Sequence, residues 1–292
     1  MYSEIAANKR KTVLLLMSFF VLVGLLAYLG GIYLGDFSVT IGALIGSVLY
    51  ALFSYFAASK AALVFNGAKE IQKSDNPRLW RTVENLAITE GLPMPKVHIM
   101  QDKGLNAFAT GRDPQHASVA ITSGLLEALD DSELQGVMAH ELGHIKNYDI
   151  RVSMVAFGLV MVVSILSDIL LRMSFFGGRS DDDDAPVFMI VLGLAAMILA
   201  PIVALLIQSA ISRKREYLAD ATGVMTTRYP EGLARALEKI KLGGSATKRQ
   251  NASTAHLFIA NPLKGKSLST LFSTHPPVDE RVARIRSMGV KV

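Results

Sequence analysis

The residues best placed to do chemistry in this chain are His140-Glu-Leu-Gly-His144. Histidines four apart stand one helical turn from each other on one face, where both rings can bind a single ion. Glu141 then lies beside that ion. A catalytic zinc keeps three protein ligands and one open position, so its water can be deprotonated by a neighbouring carboxylate and driven at a peptide carbonyl. The H-E-x-x-H pattern is short enough to arise by chance, so its context decides.

That context includes a candidate third ligand. Glu216-Tyr-Leu-Ala-Asp220 reads as a helix carrying two carboxylates one turn apart. Glu216 would complete a His₂Glu zinc set like that of thermolysin, one Zn²⁺ per chain. Asp220 could accept the second ring N–H of a ligand histidine and fix its tautomer. The alternative is a solvated helix face on which Arg213 and Arg215 pair with these acids. Cysteine is absent, which excludes disulfides and thiolate ligands and leaves histidine and carboxylate for any metal.

The elements that must hold these groups include membrane spans. The 292 residues are 51% hydrophobic, with a mean hydropathy of +0.36, high for a soluble domain. Four stretches, Val13–Tyr33, Val39–Ala58, Val152–Leu171 and Val187–Ile211, match the roughly 20 apolar residues that cross a hydrocarbon core. The first is too long for a secretory signal and lacks a small-x-small cleavage site, so it reads as a retained helix. Buried core helices are the alternative for the other three, above all for the stretch containing Asp168. That aspartate has Arg172 four residues on, which favours an interfacial ion pair over a proton relay.

The formal charge of +5 reads as topology rather than as a nucleic-acid footprint. Lys9, Arg10, Lys11, Lys60, Arg213, Lys214 and Arg215 flank one side of the spans, while Asp36 and the Asp181–Asp184 run lie on the other. The positive-inside rule puts both termini and the segment from Lys60 to Asp149 in the cytoplasm. The expected organisation is a transmembrane hairpin (1–64), a first catalytic part with the H-E-x-x-H helix (65–150), a second transmembrane pair (151–212) and a second catalytic part with the third ligand (213–292). His144 is eight residues before Val152 and Glu216 five after Ile211, so continuous helices would set the site within about 12 Å of the bilayer.

Between the hairpin and the motif, Asn66–Glu90 reads as an amphipathic helix and Gly91–Pro95 as a break. Val97–Met100, Ala107–Thr110 and Ser118–Thr122 are short β-prone runs that suggest a small antiparallel sheet. Ser132-x-x-Gln135 fits a capping box opening the motif helix. Arg213–Thr226 and Glu231–Lys241 read as helices, Gly243–Asn261 as a mobile loop, and Pro276-Pro277 as the start of a final helix.

Taken together, these features resemble the HtpX family of bacterial membrane metalloproteases, relatives of the CAAX prenyl endopeptidases and mitochondrial stress proteases. The resemblance spans essentially the whole chain. It is carried by the opening hairpin, Asn106-Ala-Phe-Ala-Thr-Gly111, the H-E-x-x-H motif followed by Asn147 and Asp149, Glu216–Asp220, and His275-Pro-Pro-x-x-x-Arg281. It implies an α+β gluzincin-like protease core on the cytoplasmic side of an inner-membrane protein with four transmembrane helices. The implied activity is zinc-dependent cleavage of misfolded or surplus membrane proteins in stress-linked quality control. The resemblance also implies roles residue by residue. Asn106, Ala107, Phe108 and Ala109 would form the cleft-edge strand that pairs with the substrate backbone, His275 would stabilise the oxyanion, and Arg281 and Asn147 would brace the ligands.

Processing of lipidated C-termini is the runner-up, although four helices cannot easily enclose the chamber such relatives have; a catalytically inactive membrane scaffold is the competitor from another class. Asp149 reads as a helix-end anchor or as a neighbour of the metal ligands. His98, His116 and His256 read as structural or exposed. Nothing in the sequence fixes the oligomeric state.

Overall fold

The computed structural model describes residues 2–161, 213–249, 253–263 and 276–289. His275, Asp168, Arg172, the Asp181–Asp184 run, the fourth apolar stretch and all of the third beyond residue 161 lie outside the described residues.

Two long helices, α1 (Tyr2–Leu34) and α2 (Phe37–Phe65), form the opening hairpin. Gly35 turns the chain at φ 64°, and the Asp36 side chain accepts from the Ser38 amide to cap α2. Val13, Leu14, Met17, Val21 and Leu25 on α1, and Ile41, Ile45, Leu49, Phe53 and Phe56 on α2, all face outward. Among the described residues, Thr40–Phe65 is the one helical stretch long and apolar enough to cross a membrane.

The chain then forms β1 (Ala68–Glu70), α3 (Pro77–Glu90), β2 (Lys96–Met100), β3 (Ala107–Gly111), β4 (Ala117–Thr122), α4 (Ser123–Ala128) and α5 (Asp131–Lys146). Residues 149–161 open a further helix, α6. After the undescribed stretch come α7 (Arg213–Thr227), α8 (Pro230–Gly243) and α9 (Val278–Gly289). The sheet order is β1-β2-β4-β3, leaving β3 at one edge.

One sheet face carries Val97, Ala107, Val119 and Ile121 into a core with Leu79 and Val83 of α3, Leu134 and Met138 of α5 and Leu237 of α8. The other face carries Met100, Phe108 and Ala120 against Ala58 and Ala62 of α2 and Phe157 of α6. Alternation along each strand thus welds the opening hairpin to one side of the sheet and the H-E-x-x-H helix to the other.

Four sequence expectations are corrected. Asn66–Glu90 is not one helix: Asn66 ends α2, Ala68–Glu70 pairs with β2, and α3 begins only where Asn76 caps Leu79 and Pro77 takes the first helical position. The sheet is mixed, because β2 and β4 run parallel with β3 inserted in sequence between them. The cap of α5 is Asp130 rather than Ser132. Asp130 and Glu133 each bond the other's backbone amide, a reciprocal arrangement that Ser132 does not make. Gly243–Asn261 is not simply a loop: Ala255–Leu257 forms a 3₁₀ turn and Phe258 bridges to Phe108.

Candidate metal centre

Helix α5 buries its motif: His140 is 0% and Glu141 1% exposed. Helix α7 packs across it at small residues. A Cβ on Gly143 would meet Thr222 Cβ at 3.3 Å, and one on Gly223 would meet the His140 backbone nitrogen at 3.2 Å. Glycine at both points lets α7 approach closely enough to bring Glu216 and Asp220 alongside the histidines.

His140 Nε2 and His144 Nε2 lie 3.2 Å apart, and Glu216 oxygens lie 3.8 Å from the first and 3.6 Å from the second. A tetrahedral ion with ligands at about 2.0–2.2 Å separates those ligands by about 3.4 Å, so the three converge at the spacing one ion requires. The far nitrogens are already committed. His140 Nδ1 sits 3.0 Å from Asp220 Oδ1 and His144 Nδ1 2.9 Å from Asp149 Oδ2. An Nδ1–H donated to each carboxylate turns the Nε2 atoms toward each other and toward Glu216, with the Arg281 Nη2 3.4 Å from His140 Nε2; a cation between the three acceptors would take all of them as ligands.

Charge points the same way: among the described residues, the buried carboxylates Glu141, Asp149, Glu216 and Asp220 outnumber the buried guanidiniums Arg215 and Arg281. Buried charge is costly unless balanced; without an ion, protonation of His144 supplies part of the balance, and a divalent cation would supply it instead. The titration behaviour follows from the same crowding. Burial pushes His140 down to about 4 against the pull of Asp220. Burial also opposes protonation of His144, but the Asp149 hydrogen bond with the Glu216, Asp149 and Glu141 charges outweighs it and lifts the ring to about 9. Glu141 is raised to about 7 by burial, with His144 pulling it down and Glu216 pushing it further up. Its Oε1 is buried without a hydrogen-bond partner among the described residues.

Arg281, 1% exposed, projects from α9. It donates from Nε and Nη2 to both oxygens of Asp220 at 2.9 and 2.7 Å, and its Nη1 reaches the Ile259 carbonyl at 3.3 Å. Burial opposes the Asp220 charge, but Arg281 and His140 hold that carboxyl down at about 2. Asn147 caps α5; its buried side chain meets no hydrogen-bond partner among the described residues.

The edge strand is partly covered. Asn106 is fully buried and spends its amide on the Ser245 and Ala260 carbonyls. The Ala107 carbonyl accepts the Ile259 amide at 2.9 Å, and the Phe108 ring meets Phe258 edge-on at 5.0 Å. Of the four strand residues, Ala109 faces the cavity beside Glu141, His144 and Glu216. That cavity measures about 30 Å³ and is lined on its far side by His256, Leu257, Phe258 and Ile259.

Sequence reasoning left Asp149 open between two roles, and the structure sets it against His144. Arg215, read as a possible partner of the carboxylates on a solvated face, and His256, read as structural or exposed, are both buried and line the cavity. His98 is buried, while His116 pairs with Asp113 at a turn.

The peptidase family M48 matches residues 73–289. The chain belongs to peptidase family M48. The M48 match includes every residue of the His140, His144 and Glu216 cluster. Among similar proteins is a "Protease HtpX homolog" of Tropheryma whipplei, 53% identical over 290 residues and covering 99% of each chain. Another of that name, from Dictyoglomus thermophilum, is 45% identical over 293 residues, covering 99% of this chain and 95% of the relative. A third, from Streptococcus gordonii, is 41% identical over 297 residues, covering 99% and 100%. The crystal structure of S. mikatae Ste24p superposes with a TM-score of 0.51 at 20% identity, covering 98% of this M48 chain and 67% of that one, a likeness of fold.

Proposed function

We propose that this M48 peptidase is a zinc-dependent endopeptidase of the cell membrane that cleaves misfolded or surplus membrane proteins exposed at the cytoplasmic face. The observation that carries the metal reading is the convergence of two imidazole Nε2 atoms and the Glu216 carboxylate, with each outer nitrogen held by its own carboxylate. A sulfur-free His₂Glu set suits zinc. When bound, zinc supplies Lewis acidity that polarises the scissile carbonyl and makes water a nucleophile at neutral pH.

The chain's own groups do the rest. His140, His144 and Glu216 hold the ion; Asp220 and Asp149 keep both rings in the tautomer that presents Nε2. Glu141, on the cavity wall, takes the proton of the attacking water and returns it to the departing amine. The outer edge of β3, which Phe258 and Ile259 partly occupy, is the surface we assign to an extended substrate, and the resemblance assigns the oxyanion donor to His275.

The membrane reading is supported by the apolar outer surfaces of α1 and α2 and by the second pair of apolar stretches in the sequence. The distribution of basic residues supports a cytoplasmic catalytic side. Metal analysis and cleavage of an unfolded protein in detergent, with wild type beside Glu216→Ala, test the assignment. Wild type should carry one zinc per chain and cleave, and Glu216→Ala should lose both. Stoichiometric zinc in Glu216→Ala would mean that the third ligand lies elsewhere.

A further inference from the structure

The first turns of α1 reach the metal centre. Asn8 is 5% exposed, and its Nδ2 donates to Asp149 Oδ1 at 2.7 Å and to the Asn147 carbonyl at 2.9 Å. The other oxygen of Asp149 takes the Nδ1 of His144 at 2.9 Å. One carboxylate therefore joins a helix of the opening hairpin to a ring of the metal cluster.

The contact has a second point of attachment. The Lys9 ammonium lies 5.0 Å from the centre of the Tyr148 ring and the Arg151 guanidinium 4.8 Å from it. Tyr148 is held at φ 60°, a conformation that residues other than glycine seldom adopt without support. The turn that brings Asp149 back onto His144 is thus gripped by α1 on both sides of the strained residue. An amide suits this place chemically. It orients Asp149 with neutral N–H groups, where Arg215 at 3.7 Å and the charge of Lys11 already act on the carboxylate.

We propose that Asn8 is a positioning residue of the metal centre: by fixing Asp149 it aims His144 Nε2 at the ion, so metal binding depends on how α1 is seated. The proposal rests on the metal reading above. Groups that orient a ligand histidine are worth about 10- to 100-fold in metal affinity, and Asn8, one step further out, should act at the lower end of that range.

The test uses the full chain in detergent. Asn8→Leu removes the donor at similar size and should weaken zinc about 10-fold against a competing chelator, and shift the visible absorption of the cobalt-substituted protein. Asn8→Gln, which keeps an amide donor, should recover most of both. In an Asp149→Ala background, Asn8→Leu should add nothing, since the relay is already cut. If Asn8→Leu does not accumulate folded, Asn8→Ala is measured in the same way. Wild-type zinc affinity and an unchanged cobalt spectrum in the folded variant would overturn the role of Asn8, as would losses that simply multiply with those of Asp149→Ala. A wild type that binds no metal would instead overturn the metal reading and this proposal with it.

Discussion

The two walls of the cleft are built differently. On the metal wall, α5, α7 and α9 are joined by buried, charge-assisted bonds: Arg281 grips Asp220, Asp220 holds His140, and Asp149 holds His144. On the strand wall, β3 is held against residues 258–260 by the Ile259 amide, the Asn106 side chain and an aromatic contact. The metal wall is held by charge-assisted bonds, and the strand wall by the chain's own pairing at Phe258 and Ile259. The cavity between them, about 30 Å³, is lined by Ala109, Glu141 and Phe258, so an extended peptide laid on β3 would compete with residues 258–259 for that edge.

The largest expected effect separates chemistry from metal holding. Glu141→Gln should keep its zinc and lose about 10²- to 10⁴-fold in kcat, the usual worth of general acid–base assistance. Metal analysis and turnover on one preparation check this. Full activity would remove Glu141 from the mechanism. The same variant should also accumulate intact where active protein cuts itself after solubilisation.

A smaller effect is expected for the groups that orient the ligands. Asp149→Ala and Asp220→Ala should each weaken zinc by about 10- to 100-fold, with Asp220→Ala destabilising the fold more because it removes both short charge-assisted bonds of the buried Arg281. Chelator competition and thermal midpoints, measured together, distinguish them. Equal loss of stability in both would erase the asymmetry between a carboxylate that meets Arg215 only at 3.7 Å and one that grips Arg281 through two short bonds.

The smallest effect concerns the strand wall. Local opening should let the Ile259 amide exchange with solvent at least about 10-fold faster than the amides of Val137 and Met138 in α5. Hydrogen exchange read residue by residue decides it. Uniform protection across both walls would mean that the chain's own strand pairing is as firmly closed as the metal wall.

The hairpin, the strand positions and the helices carrying His140, His144 and Glu216 were legible because each rests on local pattern: apolar length, β-prone runs between turns, and four-residue spacing. The short β1 was not legible, since Ala68–Glu70 has only three residues and two of them are exposed, too few to show a period. The parallel pairing of β2 with β4 was hidden for another reason. Strand order depends on which edges meet after the chain has crossed over, and alternation along a strand carries no information about its neighbour.

The sequence by itself therefore determined the donor chemistry: two imidazoles on one helical turn, a carboxylate between them, a carboxylate pair on a later helix, and no thiolate. Those follow from residue type and helical period alone. Only the tertiary structure decided that Asp149 serves His144, that Asn8 of α1 serves Asp149, and that Ile259 pairs with the strand edge. The first spans five residues and depends on the turn at Tyr148; the other two join groups far apart in the chain, 141 residues in the case of Asn8 and Asp149. Such bonds are made by the packing of whole elements and leave no local period in the residues that make them.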